Sequence, residues 1–317
     1  SICFSSHMDT APRDPLPWEV SNPFSGEVMD GRLYGRGSYD MKGALVASLF
    51  AVRAVRELQI PLRGDVIVES VVDEEWGGSN GTLASRLRGH HADLAILPEP
   101  SHMVVCPAHL GVRVFRLVAR GQSGMRFGGE DLTNPVLSMG RLLSVFDEFA
   151  RRHQAKPLPP LYTGGNPPPV DILRIHAEGY GVPDRCELDF FLHCFEGDTA
   201  ESLQRAVEEL LVEAWGENHG AEIQHITRFL PPSGIDPSHP GVQAARRAVA
   251  SVRPGRDVVR GAPFACDAYV FNLHAGIPAV ILGPAGAGAH GKDEYVLVDD
   301  LVDLVKIYAR LIVDWCS

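Results

Sequence analysis

Over the first hundred residues, apolar segments typical of β-strands alternate with a segment of helical periodicity. Residues 2–6, 65–72 and 94–97 are short and rich in apolar or β-branched side chains, whereas residues 44–58 carry apolar side chains at helical spacing. Strands that alternate with helices pair in a mostly parallel sheet with helices on both faces. We therefore expect an α/β fold built on a mostly parallel sheet.

The middle of the chain has a different order of elements, which predicts an inserted domain. Strand-like and helix-like patterns follow each other as βαββαβ, at residues 112–120, 135–152, 171–177, 187–194, 198–215 and 221–229. A capping box of Asp198 and Glu201 is expected to begin the second helix, and a Pro/Gly-rich loop is expected at 157–169. This order is that of a ferredoxin-like unit, which closes its own two-layer core. We expect this insert at residues 110–228, and the main domain at residues 1–109 and 229–317.

Composition narrows the classes of function. The 317 residues include 29 Lys and Arg against 40 Asp and Glu, a formal net charge of −11, so the chain lacks the positive surplus that nucleic-acid binding requires. Its longest apolar stretch, residues 44–52, is too short to cross a bilayer, and residues 1–10 do not resemble a secretory signal.

The six cysteines include no Cys-x-x-Cys pair and predict reduced thiols of a cytosolic protein. Because Ser1 leads directly into an apolar segment, we expect the natural protein to begin earlier.

Polar segments rich in His, Asp and Glu follow the predicted strands. Five of them stand out: Ser6-His7-Met8-Asp9-Thr10, Gly35-Arg36-Gly37-Ser38-Tyr39-Asp40-Met41-Lys42-Gly43, Asp73-Glu74-Glu75-Trp76-Gly77-Gly78, Glu99-Pro100 and Ala289-His290-Gly291-Lys292-Asp293-Glu294. In an open α/β sheet, such segments meet beyond the carboxyl ends of the strands. So many carboxylates in one cleft are costly unless cations neutralise them. A pair of divalent metal ions would do so, and mixed imidazole and carboxylate ligands favour zinc or its neighbours over calcium or magnesium.

These segments resemble, in order, the S-H-x-D, G-R-G-x-x-D-M-K-G, D-E-E-x-G-G, E-P and late H-x-x-D-E motifs of the M20 family of metal-dependent amidohydrolases. The resemblance extends over nearly the whole chain and includes residues 182–186, which are similar to the V-P-D-x-C of the family's inserted domain. It implies a zinc-exopeptidase-like catalytic domain with an inserted lid, hydrolysis of an amide bond, and a homodimer formed through the lid.

The resemblance also implies a role for each of seven residues. Two divalent ions, zinc with cobalt or manganese as alternatives, would be held by His7 and Glu99, by Glu75 and His290, and by Asp40 between them. Asp9 would accept the second ring hydrogen of His7. Glu74 would be the general base that takes a proton from water and delivers it to the leaving amine. Adjacent Glu74 and Glu75 can divide these tasks only if the backbone bends sharply, which the glycine pair that follows would permit.

Two positions depart from the family pattern. The family's insert has a histidine four residues after the glycine aligned with Gly121, where it helps to stabilise the oxyanion, and here that position is Met125. A methionine donates no strong hydrogen bond. Relatives that bind a free carboxylate have D-A-R near the late motif, whereas this chain has Tyr269 at the arginine position. The oxyanion donor and the substrate are therefore open.

Two other enzyme classes match short patterns in the chain. Ser79, Asp267 and His290 occur in the order of an α/β-hydrolase triad, but a nucleophile elbow needs its serine at the strand tip, which residues 73–75 occupy here. Residues 286–291 satisfy G-x-G-x-x-G, but no helix begins there. Both patterns therefore carry less weight than the metal centre.

Taken alone, His7 is most simply a buried histidine and Asp40 the N-cap of the next helix, but five motifs in family order favour a common metal centre. The predicted function is hydrolytic removal of an acyl group from an N-acyl amino acid or a related small molecule. M20-type dipeptidase or carboxypeptidase activity is one alternative, and a weakly active metal-binding module is another. We expect a small-molecule substrate, no nucleic-acid or membrane partner, a cytoplasmic location and a homodimer.

Overall fold

The computed structural model describes residues 1–12, 17–164 and 169–317, so the loop expected at 157–169 lies partly outside the described residues. The chain divides into two compact units. Unit 1 comprises Ser1–His109, Ser233–Ala262 and Cys266–Ser317, and unit 2 comprises Leu110–Pro232 and Pro263–Ala265. The insert expected at 110–228 starts where unit 2 starts and stops four residues before Pro232.

The helices and strands are numbered in chain order. Unit 1 begins with β1 (Ile2–His7), β2 (Val28–Met29), β3 (Arg32–Tyr34), α1 (Gly43–Glu57), β4 (Val66–Val71), α2 (Ala84–Leu87), β5 (Leu94–Leu97) and β6 (Ala108–His109). Unit 2 contains β7 (Gly111–Arg120), α3 (Pro135–Gln154), β8 (Ile172–Ala177), β9 (Arg185–Cys194), α4 (Ala200–Trp215) and β10 (Glu222–His225). Unit 1 then continues with β11 (Ser233–Gly234), α5 (Pro240–Val252), β12 (Ala279–Ile281), β13 (Gly286–Ala287), β14 (Tyr295–Leu297) and α6 (Val298–Cys316).

The centre of unit 1 is a parallel sheet with the strand order β12-β5-β1-β4. All six residues of β1 are buried, as expected of a parallel strand that is covered on both faces. Helices α1, α5 and α6 share a hydrophobic core with Ile2 and Phe4 of β1. Helix α2 lies against β4, where Arg86 donates a hydrogen bond to Glu69. This sheet confirms the predicted α/β fold.

Short antiparallel strands complete unit 1. One sheet has the order β13-β14-β3-β2 and joins the segment before Asp40 to the segment around His290. A separate pair, β6 and β11, places His109 opposite Ser233, where the chain leaves unit 1 and re-enters it. These strands are two or three residues long, so they show no periodicity and the sequence did not predict them.

Unit 2 is an antiparallel sheet with the order β10-β7-β9-β8, covered by α3 and α4. In chain order this is the 4-1-3-2 arrangement of the predicted ferredoxin-like unit. Phe115, Leu188 and Phe190 are fully buried in its core. Met125, at the position of the family's histidine, is 44% exposed in the loop after β7.

The capping box of α4 lies one residue later than predicted. The Thr199 hydroxyl accepts from the backbone N–H of Ser202, and the Ser202 hydroxyl accepts from the backbone N–H of Thr199. Asp198 instead accepts a hydrogen bond from the backbone N–H of Phe195. The predicted pair of Asp198 and Glu201 is therefore wrong, because the neighbouring Thr199 takes the N-cap position.

All six cysteines are buried and free. Burial raises the pKa of Cys106 to about 12, which keeps this thiol protonated and unreactive at neutral pH. Within the described parts of the chain, no helix is both long and apolar enough to cross a membrane.

Candidate metal centre

Several of the predicted site residues lie at the carboxyl ends of the parallel strands of unit 1. His7 is the last residue of β1. Glu74 and Glu75 lie in the short 3-10 helix Glu74–Trp76, which begins three residues after β4 ends. Glu99 follows the end of β5 by two residues. Because neighbouring parallel strands end at the same edge of a sheet, these side chains converge.

Asp40 lies between the two predicted histidine ligands. It belongs to an irregular helical turn, Ser38–Lys42, in which its own backbone is non-helical. Its Oδ1 lies 3.0 Å from Nε2 of His7, and its Oδ2 lies 3.1 Å from Nε2 of His290. The N-cap of α1 is Lys42, so Asp40 is not the helix cap that its position alone suggests. One carboxylate therefore faces two imidazoles, with one oxygen toward each.

Further carboxylates surround the two histidines. Nε2 of His7 lies 3.8 Å from Oε2 of Glu99 and 3.9 Å from Oε2 of Glu74. Nε2 of His290 lies 3.1 Å from Oε2 of Glu75. In two sets of three residues, the atoms that could bind a metal all lie within 4.8 Å of one another. One set is His7, Glu74 and Glu99, and the other is His7, Asp40 and Glu75. The structure thus brings the five predicted ligands and the predicted base into one cluster.

Asp9 contacts the cluster through both its main chain and its side chain. Nδ1 of His7 lies 2.9 Å from the backbone carbonyl oxygen of Asp9 and 3.6 Å from its Oδ1. Oδ2 of Asp9 accepts a hydrogen bond from the backbone N–H of Glu75 at 3.3 Å. The hydrogen bond to the His7 ring is therefore made by the Asp9 carbonyl, and the Asp9 carboxylate instead holds the backbone of Glu75. A donor at Nδ1 leaves Nε2 as the ring nitrogen that faces the cluster.

The helix at residues 74–76 is bounded by left-handed backbone on both sides. Asp73 has a φ of 70° before it, and Gly77 and Gly78 have φ values of 98° and 69° after it. Oδ2 of Asp73 accepts hydrogen bonds from both nitrogens of Asn80, which closes the turn. The sharp bend expected from the glycine pair therefore also uses Asp73, which the sequence did not indicate.

The segment at the family's D-A-R position holds this turn in place. The hydroxyl of Tyr269 donates to the backbone carbonyl of Gly77 at 2.7 Å. Oδ2 of Asp267 accepts from Oγ1 of Thr82 at 2.5 Å, and a Cβ atom on Gly78 would lie only 2.0 Å from Oδ1 of Asp267. Tyr269, where relatives have an arginine, therefore bonds the main chain just beyond the two glutamates.

The positions of His290 and Ser79 do not match the alternative serine triad. His290 directs Nε2 toward Asp40 and Glu75. Ser79 begins a helical turn beyond the glycine pair and is not at the tip of β4. This placement favours the metal-centre interpretation of His290.

The surrounding charges favour the protonated form of both imidazoles. Burial by itself lowers the pKa of His7, but the hydrogen bond to Asp40 and the charges of two nearby glutamates outweigh it and raise the pKa to about 11. Hydrogen bonds to Asp40 and Glu75 raise the pKa of His290 to about 10. The cluster therefore attracts positive charge at both histidines.

The pKa values of the buried carboxylates in the cluster are also shifted. Burial raises the pKa of Glu99 to about 8. Burial, together with the charges of Glu99 and Asp267, raises the pKa of Glu74 well above its usual range. Burial alone would also raise the pKa of Asp40, but its two imidazole partners hold it below its usual range. Such an excess of buried negative charge is the environment that divalent cations stabilise.

The donor atoms fit a divalent cation. Oε1 of Glu75 and Oδ1 of Asp9 are buried and have no hydrogen-bond partner among the described residues. Buried polar atoms are normally paired, so the unpartnered Oε1 of Glu75 fits a ligand to a cation. Oδ1 of Asp9 lies instead on the Nδ1 side of the His7 ring. Imidazole nitrogen and carboxylate oxygen are together the ligands of zinc and its neighbours.

Glu294 belongs to the site although the sequence assigned it no role. Its fully buried carboxylate accepts hydrogen bonds from the Arg36 side chain and from the backbone N–H groups of Gly37, Tyr39 and Asp40. The only signal in the sequence is its place as the last residue of the late H-x-x-D-E motif.

Sequence comparisons match this chain to a protein family and to named relatives. The model of Peptidase family M20/M25/M40 matches residues 3–314. The N-formyl-4-amino-5-aminomethyl-2-methylpyrimidine deformylase of Bacillus subtilis (strain 168) is 28% identical over 346 aligned residues, which cover 100% of this chain and 80% of that protein. The succinyl-diaminopimelate desuccinylase of Verminephrobacter eiseniae (strain EF01-2) is 30% identical over 328 residues, which cover 98% of this chain and 77% of that protein.

A solved structure extends the comparison to the fold. The M20 family metallo-carboxypeptidase Sso-CP2 from Sulfolobus solfataricus superposes with a TM-score of 0.75, covering 99% of this chain and 84% of that chain at 18% sequence identity. At this identity the likeness concerns the fold alone. The family match spans both units and all five ordered motifs. The chain therefore belongs to Peptidase family M20/M25/M40 and is a hydrolase of amide C–N bonds.

Proposed function

We propose that this chain uses two divalent metal ions, held by the cluster in unit 1, to release an acyl group from a small N-acyl amine. His7 and Glu99 would hold one ion, Glu75 and His290 the other, and Asp40 would contact both. The observation that carries the proposal is the position of Asp40, whose two oxygens lie 3.0 and 3.1 Å from two imidazoles. A carboxylate placed in this way would be able to contact both ions.

Glu74 would move the protons of the reaction. When bound, the two ions would polarise the amide carbonyl and lower the pKa of water. The carboxylate of Glu74 takes a proton from the attacking water, whose oxygen is added to the carbonyl carbon. The same proton is delivered to the nitrogen as the C–N bond breaks, which yields a carboxylic acid and an amine. Burial raises the pKa of Glu74, which suits a group that holds a proton between two steps.

The substrate we propose is an N-acyl amino acid or a related small N-acyl amine. The two relatives are named for the removal of a formyl and a succinyl group, which supports deacylation over peptide hydrolysis. Tyr269 binds the Gly77 carbonyl and offers no positive charge to a substrate carboxylate. We therefore include acyl amines without a carboxylate in the substrate class. Dipeptidase or carboxypeptidase activity is the alternative.

The experiment that tests this function combines metal analysis with a panel of substrates. Purified protein is stripped with a chelator, reloaded with zinc, cobalt or manganese, and assayed on formylated, acetylated and succinylated amines and amino acids and on dipeptides. We expect activity to disappear on stripping, to return on reloading, and to be highest on acyl amines, with zinc as the ion in the purified protein. Full activity of the stripped protein contradicts the proposal. Metal retention without turnover of any substrate favours the weakly active binding module.

We also propose that unit 2 is a lid and that two copies of the chain pair through its sheet. Strand β8 is an edge strand, and all six of its residues are exposed. Ile172, Leu173 and Ile175 are between 38% and 55% exposed. An exposed apolar edge strand is covered when a second copy adds its own strand to it. Sedimentation should show a dimer at micromolar concentration and a monomer for Ile175→Lys, whereas a monomeric wild type contradicts this proposal.

A cytoplasmic location is proposed from the thiols. Six buried cysteines without a disulfide are typical of a reducing compartment. Cell fractionation should recover the protein with cytosolic markers, and recovery with membranes or in the medium contradicts the proposal.

A further inference from the structure

Glu294 carries a fully buried negative charge that pairs with the buried guanidinium of Arg36 and accepts three further hydrogen bonds from main-chain N–H groups. Its Oε2 accepts hydrogen bonds from Nη1 of Arg36 at 2.7 Å and from the backbone N–H of Gly37 at 3.0 Å. Its Oε1 accepts from the backbone N–H groups of Tyr39 and Asp40, both at 3.0 Å. Four donors on one carboxylate offset the cost of burying its charge. They also fix the backbone at Asp40 directly.

The same residue joins two segments that are distant in sequence. The backbone N–H of Gly35 donates to the carbonyl of Glu294 at 3.0 Å, and Nη2 of Arg36 donates to the carbonyl of Gly291 at 2.9 Å. Strands β3 and β14, which flank these bonds, pair with each other. The segment that carries Asp40 and the segment that carries His290 are thus held together through Glu294 and Arg36.

The two predicted histidine ligands depend on this connection to different degrees. His7 is part of the buried strand β1 and is 1% exposed. The side chain of His290 is 59% exposed, and its backbone has a left-handed φ of 62°. Packing therefore fixes His7, whereas His290 is positioned mainly through the loop that Glu294 and Gly291 anchor.

We propose that Glu294 is a positioning residue that sets two ligands in place: Asp40, which would contact both ions, and His290, which would hold only the second ion with Glu75. This inference rests on the proposed metal centre. Both oxygens of Glu294 already accept hydrogen bonds, so Glu294 would contact neither ion nor substrate and would act through the backbone of Asp40 and the loop of His290. Its removal should therefore weaken one ion more than the other.

The test is a metal titration of the full chain carrying Glu294→Gln. The amide keeps the size of the side chain but removes its charge and turns an N–H₂ group toward N–H donors. Glu19→Gln is the matched control, because Glu19 pairs with Lys292 at the surface of the same loop. Stripped wild type, Glu19→Gln and Glu294→Gln are each titrated with Co²⁺, followed by calorimetry and by the visible absorption of the bound ion.

We expect two bound equivalents in the wild type and the control. In Glu294→Gln the first equivalent, which depends on Glu294 through Asp40 alone, should weaken less than the second, and the second should weaken by about 10–100-fold, the usual effect of losing a partner that orients a ligand. Two equivalents of wild-type affinity in Glu294→Gln would overturn the inference. Equal weakening of both equivalents would also overturn it, because that is the result of a general loss of structure. A wild type that binds no Co²⁺ would instead overturn the metal centre itself.

A second variant covers the case in which Glu294→Gln does not fold. Arg36→Gln leaves the Glu294 charge with its three backbone donors but removes the two hydrogen bonds of the guanidinium, one to Oε2 of Glu294 and one to the Gly291 carbonyl. The second equivalent should again weaken more than the first. Unchanged affinity for the second ion in a folded Arg36→Gln protein would overturn the inference.

Discussion

Replacement of Gly78 by alanine should destabilise the turn that carries Glu74 and Glu75 by two separable effects. Gly78 has a φ of 69°, and the left-handed conformation costs a residue with a Cβ atom about 1–2 kcal/mol. The new Cβ would lie 2.0 Å from Oδ1 and 2.5 Å from Cγ of Asp267. Asp267 is 2% exposed and accepts a hydrogen bond from Thr82, so it has little room to move. Overpacking of this kind adds about 1–3 kcal/mol.

Gly26→Ala is the matched control. Gly26 has a φ of 65°, but a Cβ atom there would meet nothing within 4 Å. This variant should therefore lose only the conformational part, about 1–2 kcal/mol. The difference between the two variants isolates the contact between Gly78 and Asp267.

The assay is urea unfolding of the metal-free proteins, followed by circular dichroism. Gly78→Ala should lose about 2–5 kcal/mol in free energy of unfolding, the sum of both effects. Turnover should fall in Gly78→Ala but not in Gly26→Ala, because only Gly78 adjoins the two glutamates. Equal losses of stability in the two variants would refute the reasoning, since they would show that Asp267 moves aside at no cost.

Three further predictions concern single side chains. Glu74→Gln should lower kcat by about 10²–10⁴-fold at unchanged metal content, with the exposed Glu57→Gln as control; loss of metal as well would identify Glu74 as a ligand. Tyr269→Phe removes the bond to the Gly77 carbonyl and should lower the free energy of unfolding by about 1–2 kcal/mol in urea, and an unchanged value would speak against that bond. Burial lowers the pKa of His153 below 6.5, so the unfolded chain binds a proton more readily and stability should fall as the pH drops below that value. His153→Gln should reduce the change in urea midpoint between about pH 7.5 and 5.5, and a change as large as in the wild type would contradict this assignment.

The larger elements of the fold could be predicted because their patterns are long enough to show a period. The ten-residue strands β7 and β9 and the helices α1 and α3 all lie within a few residues of their predicted positions. The predicted capping box is one residue too early because Asp198 and Thr199 are both good N-cap residues. They differ in that Asp198 accepts a hydrogen bond from the backbone N–H of Phe195. The last strand of unit 2 was expected at 221–229 but ends at His225, since a short edge strand leaves little periodicity to read.

The residue types of the site could be predicted, whereas its backbone could not. The order of the motifs predicts that His7, Asp40 and His290 lie close together, and in the structure they do. Nothing in the sequence indicated that the carbonyl of Asp9, not its carboxylate, would hold the His7 ring, because both atoms belong to the same residue. The role of Glu294 was missed for a similar reason. Its partners are mainly backbone N–H groups, which every residue carries and no sequence pattern records.

The pairing of His109 with Ser233 has a consequence for how the chain folds. These residues enclose a loop of roughly 120 residues, and closing a loop of that length before it has any structure is entropically expensive. Within unit 2, Val112 is bridged to Leu230, so a folded unit 2 shortens the open loop to a handful of residues. By the logarithmic dependence on loop length, this lowers the cost of closure by about 3 kcal/mol. We infer that unit 2 folds early and that its folding brings the two parts of unit 1 that flank it close enough for β6 and β11 to pair.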